Sequence, residues 1–230
     1  VANQQTSGTI GRIPVLDIWP LVSGGIRPVK AVVDEELLVA ATVFREGHDS
    51  VAAEVVLTDP AGKDFSRTRL NLVGEGTDRY TAHIRPNGEG LWTYRIEAWG
   101  DPVDTWLHHI HVKIPANVDV ELEFTEGSIL LAKAAGIATG EDAKRITKVA
   151  NSIIDKTIAP AKRQQIIEDS DFLAVLLKYP IRELLSAYGP YKLLVERKRA
   201  LYGAWYEFFP RSEGAKQKAD GTWQSGTFQT

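Results

Sequence analysis

The spacing of apolar residues in this 230-residue chain changes at Pro115, and that change limits the folds open to it. From Ile13 to Ile114 apolar positions alternate with polar ones, or gather in short runs cut by turn residues. Beyond Pro115 they recur every three or four positions. A period of two puts successive side chains on opposite faces of a strand, whereas the longer spacing lays them along one side of a helix. Strands and helices segregated along the chain predict an α+β protein of more than one domain.

Trp92-Thr93-Tyr94-Arg95-Ile96-Glu97-Ala98 is the clearest strand, with Trp92, Tyr94, Ile96 and Ala98 on one face. Val15–Ile18, Val29–Val33, Leu37–Phe44, Val51–Thr58, Thr68–Leu72, Arg79–Ile84 and Thr105–Ile114 complete the set. Turns such as Asp59-Pro60-Ala61-Gly62 separate them, because Pro presets one dihedral and Gly permits a positive one. The pattern predicts an immunoglobulin-like antiparallel β-sandwich over residues 1–117. The chain has no Cys, which excludes an inter-sheet disulfide, thiolate catalysis and zinc–sulfur sites. Aromatic and aliphatic side chains must therefore fill the core. Trp92 and Trp99 fall on opposite faces of a regular strand, so one of them must be exposed or covered by something else.

Residues 118–190 predict a small helical bundle. Its helices are expected at Leu122–Ala138, Asp142–Ile158, Ala161–Glu168, Asp171–Lys178 and Ile181–Tyr188. Ala143, Ile146, Val149, Ala150, Ile153 and Ile154 make one apolar stripe. Pro160 and Pro180 suit first-turn positions, Ser170 suits a cap, and Gly189-Pro190 reads as a stop. A strand near 191–199 is expected to return to the sandwich, which would make the bundle an insertion in it.

Leu201 to Ser212 is a different kind of segment. Ala204 to Phe209 is bulky and apolar, as in a strand buried on both faces of a parallel sheet. Such a strand needs a crossover and a partner. Residues 200–230 are therefore read as the first strand of a further, truncated domain. The net charge of −3 offers no general attraction to nucleic acid or anionic membranes. No apolar run nears the ~18–20 residues of a membrane span, and Val1–Ile10 lacks a signal peptide's apolar segment. A soluble, cytoplasmic protein with no nucleic-acid or membrane partner is expected.

Trp205-Tyr206-Glu207-Phe208-Phe209-Pro210-Arg211-Ser212, followed by Gly226-Thr227-Phe228, resembles the opening of the catalytic barrel in bacterial α-1,4-glucan:maltose-1-phosphate maltosyltransferases of the α-amylase superfamily. Gly11–Val15, Thr42–Asp49, Glu97–Pro102 and Lys113–Ala116 also resemble that family's N-terminal region, in the same order. The resemblance implies a sandwich, a helical insertion and then a (β/α)₈ barrel, with a homodimer built through the N-terminal parts. It implies a parent enzyme that moves maltosyl units from maltose 1-phosphate to α-1,4-glucan with retention. Its nucleophile and acid/base would come from later barrel strands. No carboxylate here matches either role, so this segment is expected to be inactive. A stand-alone carbohydrate-binding sandwich is the alternative.

Several residues are weighed as sites. On a strand His109 and His111 would project the same way, as two metal ligands do, but a polar strand face or dimer contact accounts for them better. Glu121, Glu123 and Glu126 read as a solvated lead-in to a helix rather than a catalytic cluster. Trp19, Trp92, Trp99 and Trp106 are candidates for stacking on sugar rings, with core packing as the simpler reading. Glu207 and Arg211 are candidate substrate contacts, with a structural ion pair preferred. No cofactor or metal is expected.

Overall fold

Most of the strands expected from the period-two region form in the computed structural model, which describes residues 11–203 and 206–229. They are β1 (Val15–Trp19), β2 (Val29–Val32), β3 (Leu37–Val43), β4 (Val51–Thr58), β5 (Asp64–Arg69), β6 (Asn71–Leu72), β7 (Arg79–Ile84) and β8 (Gly90–Gly100). Helices α1 (Pro102–Lys113), α2 (Val120–Ile137), α3 (Gly140–Ile153), α4 (Pro160–Ile167) and α5 (Ser170–Lys178) follow, and then β9 (Glu183–Glu196). The chain divides into two units, residues 1–196 and 197–230.

In the first unit the described strands form a four-stranded sheet of order β1-β3-β7-β6 and a five-stranded sheet of order β2-β9-β8-β4-β5. Inward side chains of both sheets, among them Val39, Val43, Val55, Leu57, Tyr94 and Ile96, share one core. The expected strand Thr68–Leu72 is two strands, because the chain changes sheets at buried Leu70, whose N–H bonds Ala53. The sheets are not wholly antiparallel as expected, since β2 runs parallel to β9.

Two expectations fail. Thr105–Ile114 lies within helix α1, not a strand. Asp101 caps that helix by accepting from Asp104 N–H, and Pro102 occupies its first turn. Val103, Trp106 and Ile110, buried at three- and four-residue spacing, are the face that matters. Helix therefore begins inside the stretch 1–117 assigned to the sandwich. Ile181–Tyr188, expected as a helix, belongs mostly to β9, which pairs antiparallel with β8 along its length. Gly189-Pro190, taken as a helix stop, is a bulge opposite Arg95. Gly189 has φ of 119°, and a Cβ there would sit 3.1 Å from the Tyr94 carbonyl, so glycine is required. Register across the two strands pairs Gly100 with Glu183, so the five described helices leave and rejoin the sheet at adjacent positions.

The helices bury a second core around Trp106, Ile110, Phe124, Leu131, Ile146, Ile153 and Phe172. Trp106 crosses α2 at Gly127 and donates its indole N–H to the Glu123 carbonyl at 2.8 Å. Arg163, 1% exposed, bonds Glu121 and the Ile153 carbonyl, and lies 4.1 Å over the Phe124 ring. Among the described residues no helix is long and apolar enough to cross a membrane.

The second unit contains the segment read as the first strand of a further domain, which lacks partner strands among the described residues. Tyr206–Phe209 form no strand, and Ala204 and Trp205 lie outside the described residues. Tyr206 (89%), Phe208 (52%) and Phe209 (71%) are exposed rather than buried on two faces. Among the described residues there is no barrel strand, only a short antiparallel hairpin of β10 (Lys216–Gln217) and β11 (Trp223–Gln224). Without neighbouring strands, apolar character alone cannot hold a segment extended.

The Trp106 crossing yields a test. A Cβ on Gly127 would lie 1.9 Å from the Trp106 ring. Gly127→Ala should therefore destabilise the unit by about 1–3 kcal/mol despite alanine's better helix propensity. Chemical denaturation measures the loss, and an unchanged midpoint would show that α1 and α2 do not meet in this way.

Candidate functional site

The outer face of the five-stranded sheet concentrates charge. Register places Glu54 of β4 directly opposite Glu97 of β8, and both are buried. Like charges facing each other across strands repel, and burial strips their hydration. Three arginines resolve this. Arg67 of β5 bonds both Glu54 and Glu97, the latter at 2.9 Å. Arg182, just before β9, bridges the same two carboxylates at 2.9 and 3.0 Å. Arg95 donates to Glu97 at 2.7 Å and forks onto Asp64 with two bonds of 2.9 Å. Glu54, Glu97 and Asp64 thus face Arg67, Arg95 and Arg182, and the lattice is neutral.

The lattice continues toward the helices. Trp99 is fully buried, yet it lies outside the sandwich core, under the guanidinium groups of Arg182 (4.6 Å) and Arg69 (5.1 Å). This meets the expectation that one of Trp92 and Trp99 needs other cover. Arg69 bonds Asp101 at 2.8 Å, and Asp101 caps α1. Ser50 accepts from Asp101 N–H and donates its own N–H to Thr105, while a Cβ on Gly100 would meet Arg45 at 2.8 Å. Thr42–Asp49 and Glu97–Pro102, two of the stretches that carry the resemblance, therefore meet where sheet becomes helix.

Electrostatics decide what this cluster can do. The Arg95 fork holds Asp64 far below the usual carboxylate range. Burial pushes Glu97 up, but hydrogen bonds from Arg95 and Arg67 outweigh it, and the net shift is downward. A glycosidic general acid needs the opposite, a carboxyl kept protonated near neutral pH. Glu97 is held ionised, the opposite of what such an acid requires.

The other candidates separate. His109 and His111 stand two apart on α1, which turns them to opposite sides of the helix. His109 Nδ1 lies 3.9 Å from Glu123 and His111 Nδ1 3.5 Å from Glu168. No group of three or more metal-ligating side chains occurs among the described residues. Glu123 is not solvated as expected but buried against Lys113, and Glu121 is the partner of Arg163. Glu126 is exposed. Trp92, Trp99 and Trp106 are buried, which leaves Trp19, 58% exposed, as the candidate of the four open to a sugar. Glu207 and Arg211 are exposed, and among the described residues neither forms the expected ion pair.

Two sheets whose neighbouring strands β8 and β9 are parted in sequence by a helical block define an α+β region. Residues 11–197 match the family model described as Alpha-1,4-glucan:maltose-1-phosphate maltosyltransferase, domain N/S. Relatives include maltosyltransferases 1 and 2 of Streptomyces coelicolor, 46% and 47% identical over 94% of this chain and 32% of their own. The Mycobacterium tuberculosis protein is 33% identical over 96% of this chain and 35% of its own. The chain belongs to the α-1,4-glucan:maltose-1-phosphate maltosyltransferase family and corresponds to its N-terminal region. It spans about a third of the length of these curated relatives.

The lattice predicts acid lability with a defined sign. Asp64 and Glu97 have ordinary values of 3.8 and 4.5 and lie below them in the fold. Their stabilisation is complete above that range and is lost as pH falls through the folded-state values. Asp64, with a side chain 38% exposed, contributes the smaller share because solvent screens it. Arg95→Met should cost about 1–3 kcal/mol at pH 7. That deficit should narrow below about pH 4, and melting curves from pH 7 to 3 for both proteins would reveal a pH-independent gap if the lattice were idle.

Proposed function

We propose that this chain is the N-terminal assembly and framing region of an enzyme that transfers maltosyl units from maltose 1-phosphate to α-1,4-glucan. The names of its relatives support the parent activity. In this reading the two sheets are an immunoglobulin-like sandwich formed by β1 to β8 and completed by β9, which includes most of the strand expected near 191–199. The helical insertion, α1 to α5, joins subunits into a homodimer. Residues 200–230 begin a (β/α)₈ barrel that supplies the catalytic carboxylates, and Glu207 and Arg211 serve the barrel's fold rather than its substrate. The enzyme works in the cytoplasm.

The observation that carries the assembly role is the outer side of α2. That helix buries Phe124, Leu131 and Ala134, yet its opposite side sets Leu122 and Ile129, both more than half exposed, and then Gly136 at heptad spacing. A helix apolar on both sides is partnered on both. Light scattering on the eluting chain should give twice the chain mass. Leu122→Glu with Ile129→Glu should halve it while helicity is kept, and a wild-type monomer at high concentration would remove the proposal.

Trp19 supports a second reading, in which the sandwich itself binds glucan. Titration of a maltooligosaccharide would then change tryptophan fluorescence, and Trp19→Phe would abolish the change. In the assembly reading the titration is flat. The chain alone should release no phosphate from maltose 1-phosphate in the presence of a maltooligosaccharide, and release at an enzymatic rate would contradict both readings.

A further inference from the structure

The helical block carries a groove that neither the lattice nor the outer side of α2 uses. It lies between α3 and α4, has a volume of about 470 Å³, and is walled by Arg145, Lys148, Lys162 and Gln165 over an apolar floor of Val149 and Ile166. Its charges do not cancel. Arg145 is neutralised by Asp169 at 2.9 Å. Lys162 reaches only the neutral amide oxygen of Gln165, at 3.4 Å. Lys148 has no ion pair among the described residues. On the adjoining shelf Lys144 is paired with Glu141, while Asp155, hydrogen-bonded by the N–H and hydroxyl of Thr157, keeps its negative charge outside the groove lining and forms no ion pair with Lys148 among the described residues. Two uncompensated ammonium groups thus share one concavity, on a chain whose net charge is −3.

We infer that this groove binds a phosphorylated sugar. Two ammonium groups are flexible point charges that complement a phosphate monoester dianion. Gln165 keeps its amide N–H groups free of the Lys162 contact, and Ser152, which donates to the Lys148 carbonyl at 2.9 Å, keeps its oxygen as an acceptor. Those groups suit sugar hydroxyls, and Val149 with Ile166 suits the C–H face of a pyranose ring. The volume falls in the range of small-molecule sites and exceeds what a bare ion fills. A nucleic acid would need a longer basic track with exposed stacking aromatics, and the aromatic in this lining, Phe172, is buried.

The test uses the whole chain and three probes: glucose 1-phosphate, inorganic phosphate and maltose. Glucose 1-phosphate should saturate in calorimetry and shift the amide resonances of Ser152 and Gln165. It should bind about tenfold or more tightly than either other probe, a difference of about 1.4 kcal/mol. Lys148→Gln with Lys162→Gln should weaken it by at least the same factor at an unchanged melting temperature. Lys148→Gln alone gives the reading if the double variant loses helicity. No saturation in the millimolar range, equal affinity for inorganic phosphate, tighter binding of maltose, or an indifferent variant would each overturn the assignment. The outcome is separable from the assembly reading, because Leu122→Glu with Ile129→Glu should alter mass and leave this titration intact.

Discussion

Placing Glu54 opposite Glu97 sets the terms for the outer face of the five-stranded sheet. Two buried carboxylates in register lose several kcal/mol of hydration each and repel one another. The fold is tenable only with cations set beside them, and it draws these from three places: Arg67 from the edge strand β5, Arg95 from β8 itself, and Arg182 from the far side of the helical block. Arg182 can arrive only if the chain returns beside β8 after α5. The charge balance of the sheet and the path of the helices are one constraint.

That coupling explains why Trp99 faces away from the sandwich core and is still fully covered. Its ring is the apolar base under Arg182 and Arg69, and Arg69 reaches on to the residue that caps α1. Sheet, aromatic ring, guanidinium, carboxylate and helix start are linked in one unbroken series of contacts.

The parts of the fold legible in the sequence are those whose cause is local. β8 announces itself through the alternation Trp92, Tyr94, Ile96, and α3 through the stripe from Ala143 to Ile153. Helix α1 carried a local signal too, the Asp101-Pro102 cap, but the apolar residues Trp106, Ile110, Val112 and Ile114, two or four apart, also fit a strand and masked it. The start of β9 had no such signal: Pro180 favours a helix, and only pairing with β8 overrides that preference. The lattice was the least legible, because Glu54 and Arg182 are 128 residues apart and meet through that same pairing. Arg95 and Glu97 could be assigned to a polar face, but their partners could not be named before the strand order was known. The aromatic run Tyr206–Phe209 shows the converse, an apolar sequence without neighbours to make it a strand.

The adjacency of Gly100 and Glu183 has a consequence for how such a molecule is built. Because departure and return are hydrogen-bonded neighbours, everything between them hangs from the sheet like a pendant from a single ring. Its length and cargo can change without disturbing a strand, provided an arginine still stands at the threshold on the way back. A hairpin loop could replace the pendant and leave the sandwich closed, and different helices could be hung there to carry different surfaces.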